Sequence, residues 1–294
     1  MVPLNLRYYR ADSVDEALEL FQHIKSTEGK PIFYGGGTEI LTRARVQDID
    51  VDAVIDLKGI PALHVHQAKQ GQLEFGAALR LTEVSDKNLW PLLTATADRV
   101  ADHTSRGQIT LGGNLLSILP YREAILPFLV SDSATVVTAG PEGTRTRPLP
   151  QLLHETLRLA PGELLISLRV DQYEAMGPRF KSRKMTRIDW IDYPLVTIVV
   201  TRSQSGKIRA AFSGWTTYPF TSKPINDILS DEKHSLEERA QQALQHMPEP
   251  ALTDIHGSRQ YREFVSRNTL ASMLKELEDT HENPHSTRTS DPYH

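Results

Sequence analysis

The hydrophobic positions of this chain follow two different periods, which predict helices and strands mixed along the sequence. In residues 12–21 apolar residues return with helical spacing, and Ser13 followed by Glu16 is the pattern of a capped helix start. A second helical pattern covers residues 81–102 and is interrupted near Pro91. Short apolar runs predict strands at 30–34, 53–57, 72–77, 134–138 and 163–170.

A change in composition near residues 175–178 marks a predicted domain boundary. The elements predicted beyond it are strands at 195–200 and 208–212 and helices at 236–246 and 258–277. The whole is a mixed α+β pattern. The expected organisation is a domain of residues 1–176, a smaller domain of residues 177–278, and a disordered polar tail of residues 279–294.

The overall composition is that of an ordinary folded protein, and it argues against several classes of function. Hydrophobic residues make up 39% of the chain and charged residues 24%, and the net charge of −4 argues against nucleic-acid binding. Without any cysteine, the chain cannot form disulfides or supply thiolates to zinc or iron–sulfur clusters. No apolar run approaches the roughly 18 residues of a membrane span, and the first residues show no signal-peptide pattern. We therefore expect a cytoplasmic protein without a membrane span.

Two glycine-rich stretches are the most informative motifs. Residues 34–41 read YGGGTEIL, and residues 110–116 read TLGGNLL. Because glycine has no Cβ, both stretches could bring bare backbone N–H groups close to a ligand, and two such loops could bind the two ends of a pyrophosphate. Either stretch alone is equally well explained as a tight turn between strands. The first stretch lacks the last glycine of the G-x-G-x-x-G fingerprint, so a dinucleotide-binding Rossmann unit is not predicted.

The same stretches resemble two motifs of the flavin-binding medium subunit of the molybdenum hydroxylases. That family includes carbon monoxide dehydrogenase, the bacterial xanthine dehydrogenases, and the nicotinate and quinoline dehydrogenases. Residues 36–41 are similar to its first flavin loop, and residues 110–114 are similar to its second, the T-x-G-G-N loop. Further similarity at residues 8–17, 54–63 and 257–262 extends the resemblance over nearly the whole chain.

The resemblance implies an α+β fold of the p-cresol methylhydroxylase type. In that fold two subdomains, here about residues 1–57 and 58–176, hold an extended FAD between them, and a smaller α+β C-terminal domain covers the flavin side. The two glycine loops would then meet the diphosphate and the ribityl chain of FAD. The loop residues assigned to cofactor binding in this way are Tyr34, Gly35, Gly36, Gly37, Thr38, Glu39, Ile40, Thr110, Gly112, Gly113 and Asn114.

One further assignment, Glu123, follows the second loop. The family often has an aspartate three residues after a proline, here Pro120, and that aspartate holds a hydroxyl group on the flavin side. Glutamate keeps the carboxylate and adds one methylene, so the resemblance implies the same contact for Glu123. The alternative is a solvated acid at the start of a helix.

Four residues would surround the flavin ring. The resemblance implies that Leu164 and Leu165 lie on the strand that backs the ring, that Lys181 reaches the flavin, and that Tyr193 lies beside the ring. A cation near the ring stabilises the anionic reduced flavin and raises its potential. The alternative for Lys181 is a place in a solvated basic strand, since Arg179 and Arg183 are close in sequence.

His64 and His66 could suggest a metal site, because residues two apart share one face of a strand. No third ligand is near in the sequence, so we expect two surface histidines and no metal.

The resemblance implies an oxidoreductase subunit of the xanthine dehydrogenase and carbon monoxide dehydrogenase kind that is active only in a complex. A molybdenum subunit would hydroxylate the substrate, and a small subunit would relay electrons through two [2Fe–2S] clusters. This chain would receive them on FAD and pass them to NAD⁺, oxygen or a quinone, with no catalytic residue of its own. Two alternatives remain: an assembly subunit that has lost FAD, and a free-standing flavin oxidoreductase, which would need a general base that the sequence does not reveal.

Overall fold

The computed structural model describes residues 6–46, 48–152 and 159–279, which form three β-sheets and the helices packed on them. Apart from Asp279, the tail predicted to be disordered lies outside the described residues. Within those ranges no helix is both long enough and apolar enough to cross a bilayer.

The first sheet has three parallel strands and two helices. They are β1 (Arg7–Arg10), α1 (Val14–Ser26), β2 (Pro31–Tyr34), α2 (Thr38–Arg45) and β3 (Ala53–Asp56). The predicted cap of α1 is confirmed, since Ser13 Oγ accepts a hydrogen bond from Glu16 N at 3.1 Å. The strand order β1–β3–β2 puts the first glycine stretch, which follows β2, at the carboxyl edge of a parallel sheet, where ligands commonly bind.

The second sheet is antiparallel and carries the largest hydrophobic core. Its strands, in the spatial order β4–β5–β8–β6–β7, are β4 (His66–Lys69), β5 (Gln72–Gly76), β6 (Thr135–Gly140), β7 (Gly143–Pro148) and β8 (Leu164–Asp171). Its helices are α3 (Leu81–Lys87), α4 (Pro91–Ala97), α5 (His103–Arg106), α6 (Leu111–Leu116), α7 (Leu126–Leu129), α8 (Leu149–Leu152) and α9 (Gln172–Met176), with 3₁₀ turns at Pro61–His64 and Glu123–Ile125. Phe75, Trp90 and Phe128 meet at the centre of the core, with ring centroids 5.1 to 6.2 Å apart.

The third sheet is antiparallel, and each of its faces packs into a different core. Its elements are β9 (Arg179–Met185), β10 (Val196–Arg202), β11 (Ile208–Ser213), β12 (Phe220–Thr221), α10 (Lys223–Leu229), α11 (Leu236–Leu244) and α12 (Arg259–Asp279). Val199 and Ala211 belong to the core of the second sheet, whereas Ile198 and Val200 belong to the core shared with α12. We call the contact between the Val199 face of the third sheet and the second sheet's helices the seam.

Among the strands that the sequence patterns do not predict are β1 and β4. Both are edge strands with mostly exposed or half-exposed residues, so they carry little apolar signal. The remaining predicted strands and helices are present, with bounds that differ by a few residues, and the predicted interruption near Pro91 separates α3 from α4.

Candidate functional site

The first glycine stretch turns the chain from β2 into α2 and leaves the start of that helix uncapped. Gly37 has a φ of 73°, in the left-handed region that favours glycine, and it takes the N-cap position without a side-chain hydrogen bond. The described residues supply no hydrogen-bond acceptor to the N–H groups of residues 38–40. Because a helix N-terminus attracts negative charge, this place is suited to a phosphate group.

The Tyr34 ring packs against this turn. A Cβ on Gly37 would lie 2.3 Å from the Tyr34 ring, and Lys58 Nζ lies 4.3 Å from the centroid of that ring. Thr38 is exposed and Ile40 is half-buried, so the start of α2 faces solvent rather than the core.

The two glycine stretches pack against each other around Thr110. A Cβ on Gly35 would lie 2.9 Å from Thr110 Oγ1, and a Cβ on Gly113 would lie 2.8 Å from the same oxygen. A Cβ on Gly36 would come within 2.0 Å of the Gln108 carbonyl oxygen. The missing side chains of Gly35 and Gly36 therefore let two segments that are remote in sequence lie side by side.

The second stretch is the helix α6 rather than an open loop, and its N–H groups are already used. Thr110 Oγ1 caps the helix by accepting a hydrogen bond from Gly113 N at 3.1 Å. Gly112 N donates to Ala77 O at 2.8 Å, and Asn114 N donates to Thr110 O at 2.9 Å. The expectation that both stretches offer bare N–H groups is therefore wrong for the second, which can offer a ligand the exposed surface of Gly113 and the Asn114 side chain.

Side-chain contacts fix the two stretches relative to the segment that follows α6. Asn114 Oδ1 accepts a hydrogen bond from Ala124 N at 3.1 Å, which leaves Asn114 Nδ2 as the donor for a ligand. Glu39, in the first turn of α2, accepts a hydrogen bond from Ser117 Oγ. Glu39 thus joins α2 to the end of α6.

Glu123 is buried beside this arrangement and is not a solvated acid. It is 3% exposed, and burial raises the pKa of its carboxyl to about 7, against the opposing effect of the positive charge of Lys184. The described residues give its carboxyl no hydrogen bond from another side chain. A buried acceptor of this kind favours a donor from a ligand.

Side chains alternate between the two faces of β9, so its lysines Lys181 and Lys184 lie on opposite faces of the sheet. Lys181 is opposite Val200 on the α12 face, and its Nζ lies 3.1 Å from Glu276. Lys184 is opposite Thr197 on the seam face, and its Nζ donates to Arg99 O at 2.9 Å. The structure therefore does not bring Lys181 to the other candidate residues. Instead it brings Lys184 to them, which the sequence did not indicate.

Burial lowers the pKa of Lys184, and the negative charges of Glu123 and Asp192 oppose that effect. Lys184 is therefore the cation that acts on the candidate carboxyl. The two-residue period of a strand predicts that residues 181 and 184 lie on opposite faces, but it does not predict which of the two faces the site.

Tyr193 lies within electrostatic reach of both acids of the site. It is 52% exposed, and its pKa is raised by burial and by the negative charges of Glu39 and Glu123. Its ring stacks on Tyr121, with centroids 4.9 Å apart. Tyr121 donates a hydrogen bond to Asp254 Oδ2 at 3.2 Å and so holds Tyr193 at the entrance of the site. The sequence did not indicate this role of Tyr121.

Leu164 and Leu165 are buried on opposite faces of β8. Leu164 packs in the core of the first sheet with Ile55, and Leu165 packs in the core of the second sheet with Phe75. Both residues have a packing role in the described structure, and neither presents a surface to the glycine stretches.

The two histidines lie in different elements. His64 is in a 3₁₀ turn, where its Nε2 lies 3.1 Å from Lys58 O, and His66 begins β4. Burial, together with the positive charge of Lys87, lowers the pKa of His66 to about 4. In the ranges that the structure describes, no three potential ligands lie together as a metal would require.

Residues 4–171 match the protein family described as the FAD binding domain in molybdopterin dehydrogenase. The chain belongs to this family. The predicted cofactor, FAD, and the predicted α+β fold are thereby confirmed, because the matched family is defined by FAD binding and covers more than half of the chain.

Solved structures agree on the fold. A carbon monoxide dehydrogenase from Hydrogenophaga pseudoflava is similar with a TM-score of 0.83 and 22% identity, over 95% of this chain and 99% of that chain. Quinoline 2-oxidoreductase from Pseudomonas putida 86 is similar with a TM-score of 0.81 and 19% identity, over 93% of this chain and 97% of that chain.

Among curated relatives, an indole-3-acetaldehyde oxidase from Zea mays is 27% identical over 187 residues. The match covers 60% of this chain and 13% of the relative, so the chain spans only a small part of that enzyme.

Proposed function

We propose that this chain is the FAD-carrying electron-transfer subunit of a molybdenum hydroxylase complex. The observation that carries the proposal is the meeting of the uncapped start of α2 with α6 around Thr110, in a chain of an FAD-binding family. We retain residues 1–176 as the FAD-binding domain, with subdomains of about 1–57 and 58–176, and residues 177–278 as the C-terminal domain.

The residues present fit FAD. The N–H groups of residues 38–40 would hold the diphosphate, because they have no acceptor among the described residues. Asn114 Nδ2 and the Glu123 carboxyl would hold hydroxyl groups of the ribityl chain. Lys184 would place positive charge beside the ring, and Tyr193 would cover it. Bound FAD would supply electron exchange in steps of one or two electrons.

An exposed apolar surface beside Tyr193 supports the proposal that a partner subunit binds there. Ile188 is 83% exposed and Trp190 is 61% exposed, and Arg187 Nη1 donates to the carbonyl of the equally exposed Ile255 at 2.6 Å. Contiguous exposed apolar residues mark interaction surfaces. We propose that an iron–sulfur [2Fe–2S] small subunit docks here, since this chain has no cysteine to hold clusters, and that a large subunit with the molybdenum cofactor completes a cytoplasmic complex.

A second candidate, a free-standing flavin oxidoreductase, is favoured by one observation. A buried carboxyl whose pKa is raised to about 7 is a possible general base. The two functions are separated by co-expression of this chain with its neighbouring subunits, followed by pull-down and substrate-dependent dye reduction. If only the assembled complex is active, the chain is the electron-transfer subunit. If the purified single chain turns over substrate, it is the free-standing enzyme.

The FAD site itself is tested by a matched pair of glycine variants. Gly37 and Gly71 both have a left-handed φ, of 73° and 76°, but only Gly37 lies at the proposed diphosphate position. Gly37→Val should abolish FAD binding, because its side chain would fill the turn before α2, and Gly71→Val should retain it, because a Cβ there has no neighbour within 4 Å. Retention of flavin absorbance by Gly37→Val after gel filtration would show that the diphosphate is bound elsewhere.

A further inference from the structure

A cavity of about 360 Å³ lies in the seam, away from the residues proposed to hold FAD. Along β9, Phe180 lines the cavity and Lys184 faces Glu123, so the two places are about 13 Å apart at 3.3 Å per strand residue. Between them, Thr96 Oγ1 donates to Ser182 Oγ at 3.2 Å and closes the seam. The cavity is therefore a separate space with walls from both domains.

The inner wall of the cavity is apolar. It is formed by Trp90, Leu92, Pro127, Val130 and Phe180. The indole N–H is already used, because Trp90 Nε1 donates to Ala175 O at 3.0 Å. This wall can therefore accept a hydrocarbon or aromatic surface without leaving a buried donor unpaired.

Four charged residues line the cavity, and three of them form ion pairs or hydrogen bonds within the protein. Arg209 forms a two-bond ion pair with Asp132. Glu174 accepts hydrogen bonds from Asp132 N at 2.6 Å and from Ser133 N at 3.0 Å. In the described part of the chain Lys207, which is exposed, has no carboxylate partner. The four charges sum to zero, and Lys207 is the charged group of this rim that is left to pair with a ligand.

We propose that this cavity binds a small organic anion, with its aromatic or aliphatic body on Trp90 and Phe180 and its carboxylate toward Lys207. The hydroxyl groups of Thr201 and Ser203 also line the cavity and can donate to the same carboxylate. The volume lies at the lower end of the range of small-molecule pockets, about 300–1,000 Å³, and domain interfaces are frequent places for such pockets. Since both domains supply the walls, the ligand stabilises their docked arrangement.

The test is calorimetric titration of the full chain with 1-naphthoate and with its neutral analogue 1-naphthalenemethanol. We expect one saturable site for the naphthoate. Lys207→Met should weaken naphthoate binding about two- to five-fold, the range of an exposed ion pair, and leave binding of the alcohol unchanged. Lys25→Met, which removes the same charge from the exposed side of α1, is the matched control and should have no effect.

A second variant locates the ligand. Ala175→Phe should fill the cavity and abolish binding of both compounds, while the far-ultraviolet circular dichroism stays that of the wild type. Saturating FAD should leave naphthoate binding unchanged, which separates this site from the cofactor site. The proposal is overturned if no saturable binding is found, if Lys25→Met weakens binding as much as Lys207→Met, if Ala175→Phe still binds, or if FAD displaces the naphthoate.

Discussion

Replacing Glu123 by glutamine should raise the stability of the cofactor-free chain at neutral pH and remove part of its pH dependence. Burial raises the pKa of this carboxyl from 4.5 to about 7, so between these values the folded chain holds a proton that the unfolded chain has released. Stability therefore falls as the pH rises from 4.5 to about 7 and is constant above. At 1.36 kcal/mol per pKa unit, the loss is about 3 kcal/mol.

The assay is urea unfolding of the apo chain at about pH 5 and about pH 8, for the wild type and for Glu123→Gln. The wild type should lose about 2–3 kcal/mol more than the variant between the two conditions, since the amide cannot ionise. Glu237→Gln, at an exposed position of α11, is the control and should follow the wild type. Parallel losses in the wild type and Glu123→Gln would refute the reasoning, because the carboxyl would then be hydrated or hydrogen-bonded in the apo chain.

Three further predictions follow from the same contacts. Lys184→Met should lower the flavin reduction potential by about 30–60 mV in spectroelectrochemical titration, because a charge-assisted contact is worth about 1.5–3 kcal/mol and 30 mV corresponds to about 1.4 kcal/mol. Lys181→Met, on the opposite face of β9, should leave the potential unchanged. Equal shifts in the two variants would contradict the assignment of Lys184. Thr110→Val should lose about 1 kcal/mol of unfolding free energy with the cap of α6 and should weaken FAD binding, whereas Thr110→Ser should restore both. Trp190→Asp should reduce co-purification of the proposed iron–sulfur subunit while FAD absorbance is retained, and undiminished co-purification would place the interface elsewhere.

Local signals in the sequence account for most of the fold. The Ser13 cap and the helical pattern of α12 both depend on neighbouring residues, and both are present in the structure. Edge strands are different. β1 is held by parallel pairing with β3, more than forty residues later, and its polar, exposed residues give no pattern that could reveal it.

The side of a strand that faces a site is also not a local property. Alternation predicts that residues 181 and 184 lie on opposite faces of β9, but both faces of this sheet are covered. Only the pairing of Val200 with Lys181 and of Thr197 with Lys184 decides which lysine faces the seam. The family resemblance pointed to Lys181, and the register of the sheet points to Lys184, three positions later.

The glycine motif is informative because it fixes the distance between two segments, not because every glycine touches a ligand. A side chain on Gly36 would meet the Gln108 carbonyl, and one on Gly112 would meet Ala77, so these two glycines are required by the protein's own packing. Gly113 is different, since it is exposed and its missing Cβ faces only the Thr110 hydroxyl. Substitution at Gly36 or Gly112 should therefore lower stability and FAD binding together. At Gly113 the loss of binding should exceed the loss of stability, and the comparison separates packing from recognition.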